Sequence, residues 1–454
     1  MEYGVSPLDL GLTSELASFL ASFQYSDLPP DVIHAARRGV VDWIGCALAG
    51  SSNPTVLRMV AVLESASDTR RATVIGHGSR LSALEAALSN GLMGHVLDYD
   101  DTHMQGVILH TSSPVLAALL ALSETYAVTG EELIAAYVAG FEAGVRAGKA
   151  APGHHRGGWH LTGTLGSIAS AAACGRLLRL TPTQMTHAIG IGATQAAGMQ
   201  QNRGTMCKSL HAGRAAENGV LAALLAQRGF DSSLEILEGK KGFCRIYSDV
   251  AAPEAITAGL GQRWEIASNG FKPYACGVVM HPAIDAMIRL RHLTQSQGVS
   301  RIEVTVNPLA VSITGVADPQ TGLQSKFSLR HSASVAFLDG AAGVRQYTDA
   351  RAVASEVRAL RAQLQIVTDP GYRVDQASAR ATCDGRPIEV QVDHATGTAS
   401  NPMSDAAIEE KFMLNASTVL SESQACALRD RLWAIERESD VSSLLDLCVP
   451  RPAA

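Results

Sequence analysis

The chain has 454 residues, 46% hydrophobic and 18% charged; that length exceeds one ordinary core, so two to three domains are expected and disorder is excluded. The formal net charge is -6 and the sequence pI about 6.2, with no run of Lys or Arg. This excludes a basic nucleic-acid face, and an anionic ligand must be drawn by a local pocket.

From the N-terminus, MEYGVSPLDLGL carries acids before any base and lacks a signal-peptide core. No apolar run reaches the roughly 18 residues of a membrane span. Eight scattered cysteines form no CxxC pair, which predicts buried thiols in a reducing, cytoplasmic compartment. The first helix with clear punctuation opens at Pro29-Pro30 and closes at Gly50. HVLDYDDTH (95–103) follows, three carboxylates in four positions flanked by histidines. His110 precedes Ser113-Pro114 and an apolar helix, whose N-terminal amides favour an anion.

Capping boxes are expected at Thr129 with Glu132 and at Thr181 with Gln184. Between them His160 follows paired glycines and enters 163–178, a helix so uniformly small and apolar that it belongs at the centre. NRGTMCKSLHAGRAAENG (202–219) gathers Arg203, Lys208, His211 and Arg214 at a loop and helix start, a positive cradle in an acidic protein. After Trp264 the texture changes. FKPYACGVVMHPAIDA (271–286) sets Lys272 and His281 at the junction, where clefts commonly form, while Cys276 reads as an inert buried thiol. Segments 301–307, 364–369 and 387–393 alternate as half-buried strands, with helices near 282–292, 332–337 and 350–362. Helix returns at 401–412, with Ser404 as N-cap, and continues towards Leu447. The predicted fold is mainly α: a large all-helical domain, residues 1–267 and 403–454, with a smaller α+β lid domain, residues 268–402, inserted late.

Three chemistries compete for the acidic motif. A phosphatase of the haloacid-dehalogenase type would use Asp98, Asp100 and Thr102 around magnesium, but its motif must follow a buried parallel strand, and ALSNGLMGHVL has no β-branched run. A protonating terpene cyclase matches DxDD, yet needs aromatic walls that a chain 5% aromatic does not supply. A general acid/base site, with carboxylates beside histidines, agrees best with the histidines elsewhere. No usual zinc or iron spacing occurs, so no metal is expected.

Taken together, HVLDYDDTH, GWHLTGTLG, MCKSLHAGRAAENGVLAALLAQRGF, LEGKKGF, KPYACGVVMHPAIDA, KFSLRHSASVAFLDG and NPMSDAAIEEKF resemble the 2-methylcitrate dehydratase and cis-aconitate decarboxylase (MmgE/PrpD) family. The resemblance implies a cofactor-free lyase acting on a small di- or tricarboxylic acid, a homodimer, and a site where lid meets helices. It maps that site to Asp98, Thr102, His110, His160, Lys208 and His281. Members dehydrate 2-methylcitrate, decarboxylate cis-aconitate or epimerise iminodisuccinate, each through a carbanion-like centre beside a carboxylate. In the roles that follow, Lys208 binds the carboxylate, His110 and His160 exchange the proton, and Asp98 orients an imidazole. Thr102 bonds a carboxylate, and His281 acts from the lid. The chain departs from the family at His110-Thr111, commonly His-Pro, and at Arg330-His331, usually Pro-Tyr. His331, for that departure, and Lys272, for its place at the junction, are further substrate-binding candidates. An epimerase with the same acid/base pair and a non-catalytic carboxylate binder are the alternatives.

Overall fold

The computed structural model describes residues 11–295 and 298–451; the opening ten residues, on which the reading of the N-terminus rests, lie outside the described residues. Nine longer helices make up the first half: α1 (Leu12–Ser22), α2 (Pro30–Gly50), α3 (Pro54–Ala66), α4 (Ala83–His95), α5 (Ser112–Ser123), α6 (Gly130–Lys149), α7 (Leu161–Leu177), α8 (Pro182–Thr194) and α9 (Cys207–Gln227). Their ends follow local chemistry. Pro30 opens α2 at its first position, and both capping boxes form, at Thr129 with Glu132 and at Thr181 with Gln184.

The central helix is α7: every residue from Leu161 to Gly175 is buried, and it packs against α5, α6, α8 and α9. Small residues allow this crowding. Where α4 crosses α9, a Cβ on Gly91 would lie 3.0 Å from the Cα of Gly213, so the two backbones meet without side chains between them. The last residue of α4 is His95, which this contact fixes beside α9.

Beyond α9 the chain turns to mixed structure. Strands β1 (Val299–Val306), β2 (Gln365–Thr368), β3 (Ala377–Cys383) and β4 (Arg386–Val392) form one sheet in the order β2-β1-β3-β4. β1 and β2 are parallel; the other pairs are antiparallel. Helix His281–Thr294 packs on β1, β3 and β4, and helix Leu329–Asp339 packs on it in turn. Three strands match the sequence expectation; β3 was missed. Its text, ASARATC, is rich in alanine and carries Arg380, yet it pairs on both sides, and that context outweighs weak strand propensity. Helix Asp405–Ala416, N-capped by Ser404 as expected, then returns to pack on α2. There Lys411 Nζ lies 2.6 Å from Asp42, both buried. No described helix is long and apolar enough to cross a membrane.

One short ribbon joins the two textures. Thr102–His103 pairs antiparallel with Asn269–Gly270, with Thr102 opposite Gly270. Continuing that register sets Phe271 opposite Asp101 and Lys272 opposite Asp100, while the Asn269 side chain, facing His103 in the pairing, reaches the Asp101 carboxylate. The ribbon is what assembles the site.

Candidate active site

The three carboxylates of the acidic loop go to three different partners. Asp98 adopts a left-handed backbone (φ 51°), a conformation an aspartate tolerates at some cost, and this turns it away from its neighbours. Its carboxylate is 2.8 Å from Lys208 Nζ and also accepts from Lys272 Nζ, which bonds the Asp98 carbonyl at 3.1 Å. Burial opposes ionisation, but Lys208 and Lys272 outweigh it and hold the carboxyl well below the usual carboxylate range. Asp100 faces the opposite way and takes His95 Nδ1 at 2.8 Å and Ser113 Oγ at 2.7 Å. Ser113 is itself held by Trp43 Nε1 at 3.1 Å. Asp101 bonds Ser112 Oγ and Asn269 Nδ2, each at 2.6 Å. Burial and the nearby Asp100 push its carboxyl up to about 7, so it acts as a clamp between the α5 entrance and the ribbon.

The histidines are stacked behind this loop. The His95 ring lies 4.9 Å from His110 and 5.5 Å from His160, nearly parallel to the latter. His110 Nδ1 is 2.7 Å from the Asp101 carbonyl and 3.0 Å from Thr102 Oγ1. A carbonyl only accepts, so Nδ1 carries the proton and Nε2 presents a lone pair. Burial first, and Lys272 second, push His110 down to about 3, so the ring is neutral at neutral pH. His160 is the N-cap residue of α7, and its Nδ1 meets His211 Nδ1 at 2.9 Å. Burial, then the neighbouring His95, drives His160 well below its ordinary value.

These groups face a cavity whose polar walls are Asp98, His110, His155, His160, Arg203 and Lys208, with Phe327 among the apolar ones. Its free volume is about 50 Å³, room for roughly three to five waters. The structure thus brings together Asp98, His110, His160 and Lys208 of the expected set. Thr102 and Lys272 stand one layer behind, supporting His110 and Asp98 respectively. His281 is buried at a helix start with Nε2 3.4 Å from the Cys276 carbonyl. Burial, then Lys272, pushes it down to about 3, and it does not line this cavity.

Several expectations need correction. Asp98 bonds lysines and Asp100 bonds the imidazole, because the left-handed turn at Asp98 separates the two carboxylates. Thr102 Oγ1 is engaged with His110 rather than facing the cavity. His331 faces the interior of its own helix packing, with Nε2 2.9 Å from the Gln346 carbonyl and its ring near Tyr347, and does not line this cavity. Arg330 likewise turns to the Arg361 and Leu364 carbonyls. Of the basic cradle, Arg214 pairs with Glu217 at the surface. The Cys276 thiol is pushed up to about 11, by burial above all, consistent with an inert thiol.

The acid/base reading of the sequence assigned no role to His95, Asp100, Ser113 or Lys326. The first two lay inside the acidic motif; the four residues between them gave no sign that the chain would turn back and pair them. Lys326 donates to the Leu97 and Ala275 carbonyls at 2.7 and 2.6 Å, tying the acidic loop to the later half. Among the described residues, His95, Asp100 and His110 place ligand atoms within 4.8 Å of one another, close enough for a metal ion. His95 Nδ1 and His110 Nδ1 are already hydrogen-bonded, to Asp100 and to the Asp101 carbonyl, so a metal taking either of these two atoms would have to break that bond.

The MmgE/PrpD N-terminal domain model matches residues 14–255, and the MmgE/PrpD C-terminal domain model matches residues 274–435. The chain is 28% identical to a cis-aconitate decarboxylase of Aspergillus terreus over 470 residues, covering 96% of each. It is 28% identical to a cis-aconitate decarboxylase-like protein of Aspergillus oryzae, covering 96% of this chain and 97% of the relative. The human cis-aconitate decarboxylase is 26% identical, with 96% and 94% covered. With both domain models matched in order around a buried histidine–lysine site, the chain belongs to the MmgE/PrpD family and is a lyase of the dehydratase and decarboxylase type.

Proposed function

We propose that this lyase removes water or CO2 from a small di- or tricarboxylic acid by moving a proton at the carbon beside a carboxylate, without a cofactor. The observation that carries the reading is two neutral, buried imidazoles, His110 and His160, on one small cavity with Lys208. Asp98 faces two lysines, so this cluster holds one positive charge in excess and receives a substrate carboxylate. Lys208 lies in the first turn of α9, whose amide dipoles add to the field.

In dehydration, His110 Nε2 takes the proton beside the carboxylate. The electron pair left on carbon spreads into that carboxylate, where Lys208 stabilises it. The pair then forms the carbon–carbon double bond as the carbon–oxygen bond breaks, and the leaving hydroxide takes a proton from His160. In decarboxylation the carbon–carbon bond to CO2 breaks, its electron pair stays on the substrate, and an imidazole N–H protonates the resulting carbanion. One Nδ1 of the His160–His211 contact must donate and the other accept; with His211 donating, His160 carries its proton on Nε2, ready to give. The Asp100–His95 pair packs behind both rings and positions them.

The resemblance and the return of helix 405–416 to α2 support residues 1–267 with 403–454 as one helical domain and 268–402 as a lid. The same resemblance supports a homodimer, and the buried thiols Cys46, Cys174, Cys244 and Cys276 suit a reducing cytoplasmic compartment. An epimerase would use the same imidazoles. Proton NMR in D2O with a panel of four- to seven-carbon di- and tricarboxylates separates the outcomes: water loss, CO2 loss, or deuterium entering recovered substrate. His110→Ala and His160→Ala should each lower turnover at least about 100-fold. Full activity in both would sink the assignment.

A further inference from the structure

Arg203 is a cation in the cavity with no carboxylate at contact distance. It sits in the loop before α9, directly after the short turn Gln200–Asn202. That loop is clipped in place: Gln200 Nε2 donates to the carbonyls of His155 and Trp159, at 2.7 and 2.9 Å. Among the described residues no ion pair includes Arg203, whereas Lys208 and Lys272 both contact Asp98. The guanidinium instead meets a neutral ring, His155 Nε2, at 3.1 Å. A guanidinium cannot accept, so His155 Nε2 is the acceptor and its proton lies on Nδ1. His155 is held neutral, pushed down to about 4 by burial and then by Arg203 itself. The remaining N–H groups of Arg203 have no described protein acceptor, and both residues line the same cavity as His110 and Lys208.

A partly desolvated guanidinium without an anion is costly to keep, and it is the natural fork for a carboxylate. Arg203 thus adds a cation without a carboxylate partner to the one left in excess in the Asp98–Lys208–Lys272 cluster. We infer that Arg203, positioned by His155, receives a second carboxylate of the substrate, remote from the reacting carbon, and so makes the enzyme selective for di- and tricarboxylates over monocarboxylates. This rests on the lyase reading above. Lys208 serves the carboxylate at the reacting carbon; Arg203 fixes the other end, and the apolar wall at Ile108, Leu161 and Phe327 accommodates the carbon chain between.

The test compares Arg203→Gln with the parent enzyme on one turned-over acid and on its analogue with the distal carboxylate converted to an amide. The variant should lose roughly 10- to 100-fold in kcat/KM on the full acid and change less than about twofold on the amide; Arg203→Lys should fall between. Equal losses on both compounds, or no loss on either, would overturn the inference. A calorimetric titration with a saturated, unreactive tricarboxylate gives a readout independent of turnover. Parent binding that weakens in Arg203→Gln, with no panel acid turned over, would sink the lyase reading and keep this subsite. Turnover with unchanged binding in the variant would do the reverse, and no binding to the parent at all would overturn both.

Discussion

Replacing Asp98 by asparagine removes the negative charge that two buried ammonium groups share. Lys272 is 1% exposed and Lys208 9% exposed, and the Asp98 carboxylate contacts both. Removing one partner of a buried pair costs about 3–5 kcal/mol, because the charge left behind is uncompensated. Here two charges are left behind, which places Asp98→Asn at the upper end of that range. Against a total stability of about 5–15 kcal/mol this is a large fraction. Lys272→Met alone leaves a one-to-one Asp98–Lys208 pair and should cost less, about 1–3 kcal/mol. The sharper consequence lies in the double variant. Once Asp98 is neutral, removing Lys272 removes one of the two stranded cations, so Asp98→Asn/Lys272→Met should be more stable than Asp98→Asn alone. Urea unfolding followed by circular dichroism at pH 7 measures all four proteins. If Lys272→Met lowers the midpoint in the Asp98→Asn background as much as it does alone, the shared-charge argument fails.

Acid should destabilise the fold well above the ordinary carboxylate range. Burial, first among the causes, depresses His110, His154 and His281 to about 3 and His331 to about 4, from a reference of 6.5. The folded state keeps these rings neutral while the unfolded chain binds protons, so their contribution is fully present above pH 6.5 and is lost as pH falls towards 3. Asp101 and Glu142, both pushed up to about 7 by burial, act in the opposite sense over this window, but the depressed histidines outnumber them, so the urea midpoint should drop between pH 7.5 and pH 5, and a flat profile there would contradict the burial of these rings. A second expectation concerns the support of Asp100. A Cβ on Gly94 would stand 2.1 Å from Trp43 Nε1, the group that holds Ser113 and through it Asp100. Gly94→Ala should cost about 1–3 kcal/mol and reduce turnover. Gly78→Ala, where an added Cβ meets nothing within 4 Å, should do neither, and identical behaviour of the two in thermal melts and turnover assays would count against the relay.

The helical half was largely legible because its signals are local. The pairs Thr129/Glu132 and Thr181/Gln184, and Ser404, each satisfy amides within their own first turn, and Pro30 presets the first turn of α2 and leaves no amide there to satisfy, so their effect is carried by neighbours in sequence. The uniform small side chains of α7 announced a central position for the same reason: such a helix has no polar face to leave in water. β3 was not legible, since alanine and arginine say little about pairing, and its place between β1 and β4 rests on partners up to about eighty residues away.

The same division runs through the site. The residues that line the cavity, Asp98, His110, His160 and Lys208, were nameable from motifs, because the residue types a proton transfer needs are few. Their partners were not. That Asp98 serves Lys208 and Lys272 while Asp100 serves His95 follows from a left-handed turn at one residue and from a two-residue ribbon that joins Thr102 to Gly270. That His331 faces its own packing while Arg203 stands in the cavity was equally hidden, since two cationic or imidazole side chains read alike until burial sorts them. The sequence by itself determined helix boundaries, the mainly α class and the kinds of chemical groups available. The tertiary structure alone decided which charge meets which and which rings are neutral, because pairing and desolvation depend on what lies within a few ångströms in space, and here Asp98 and Lys272, for example, are 174 residues apart.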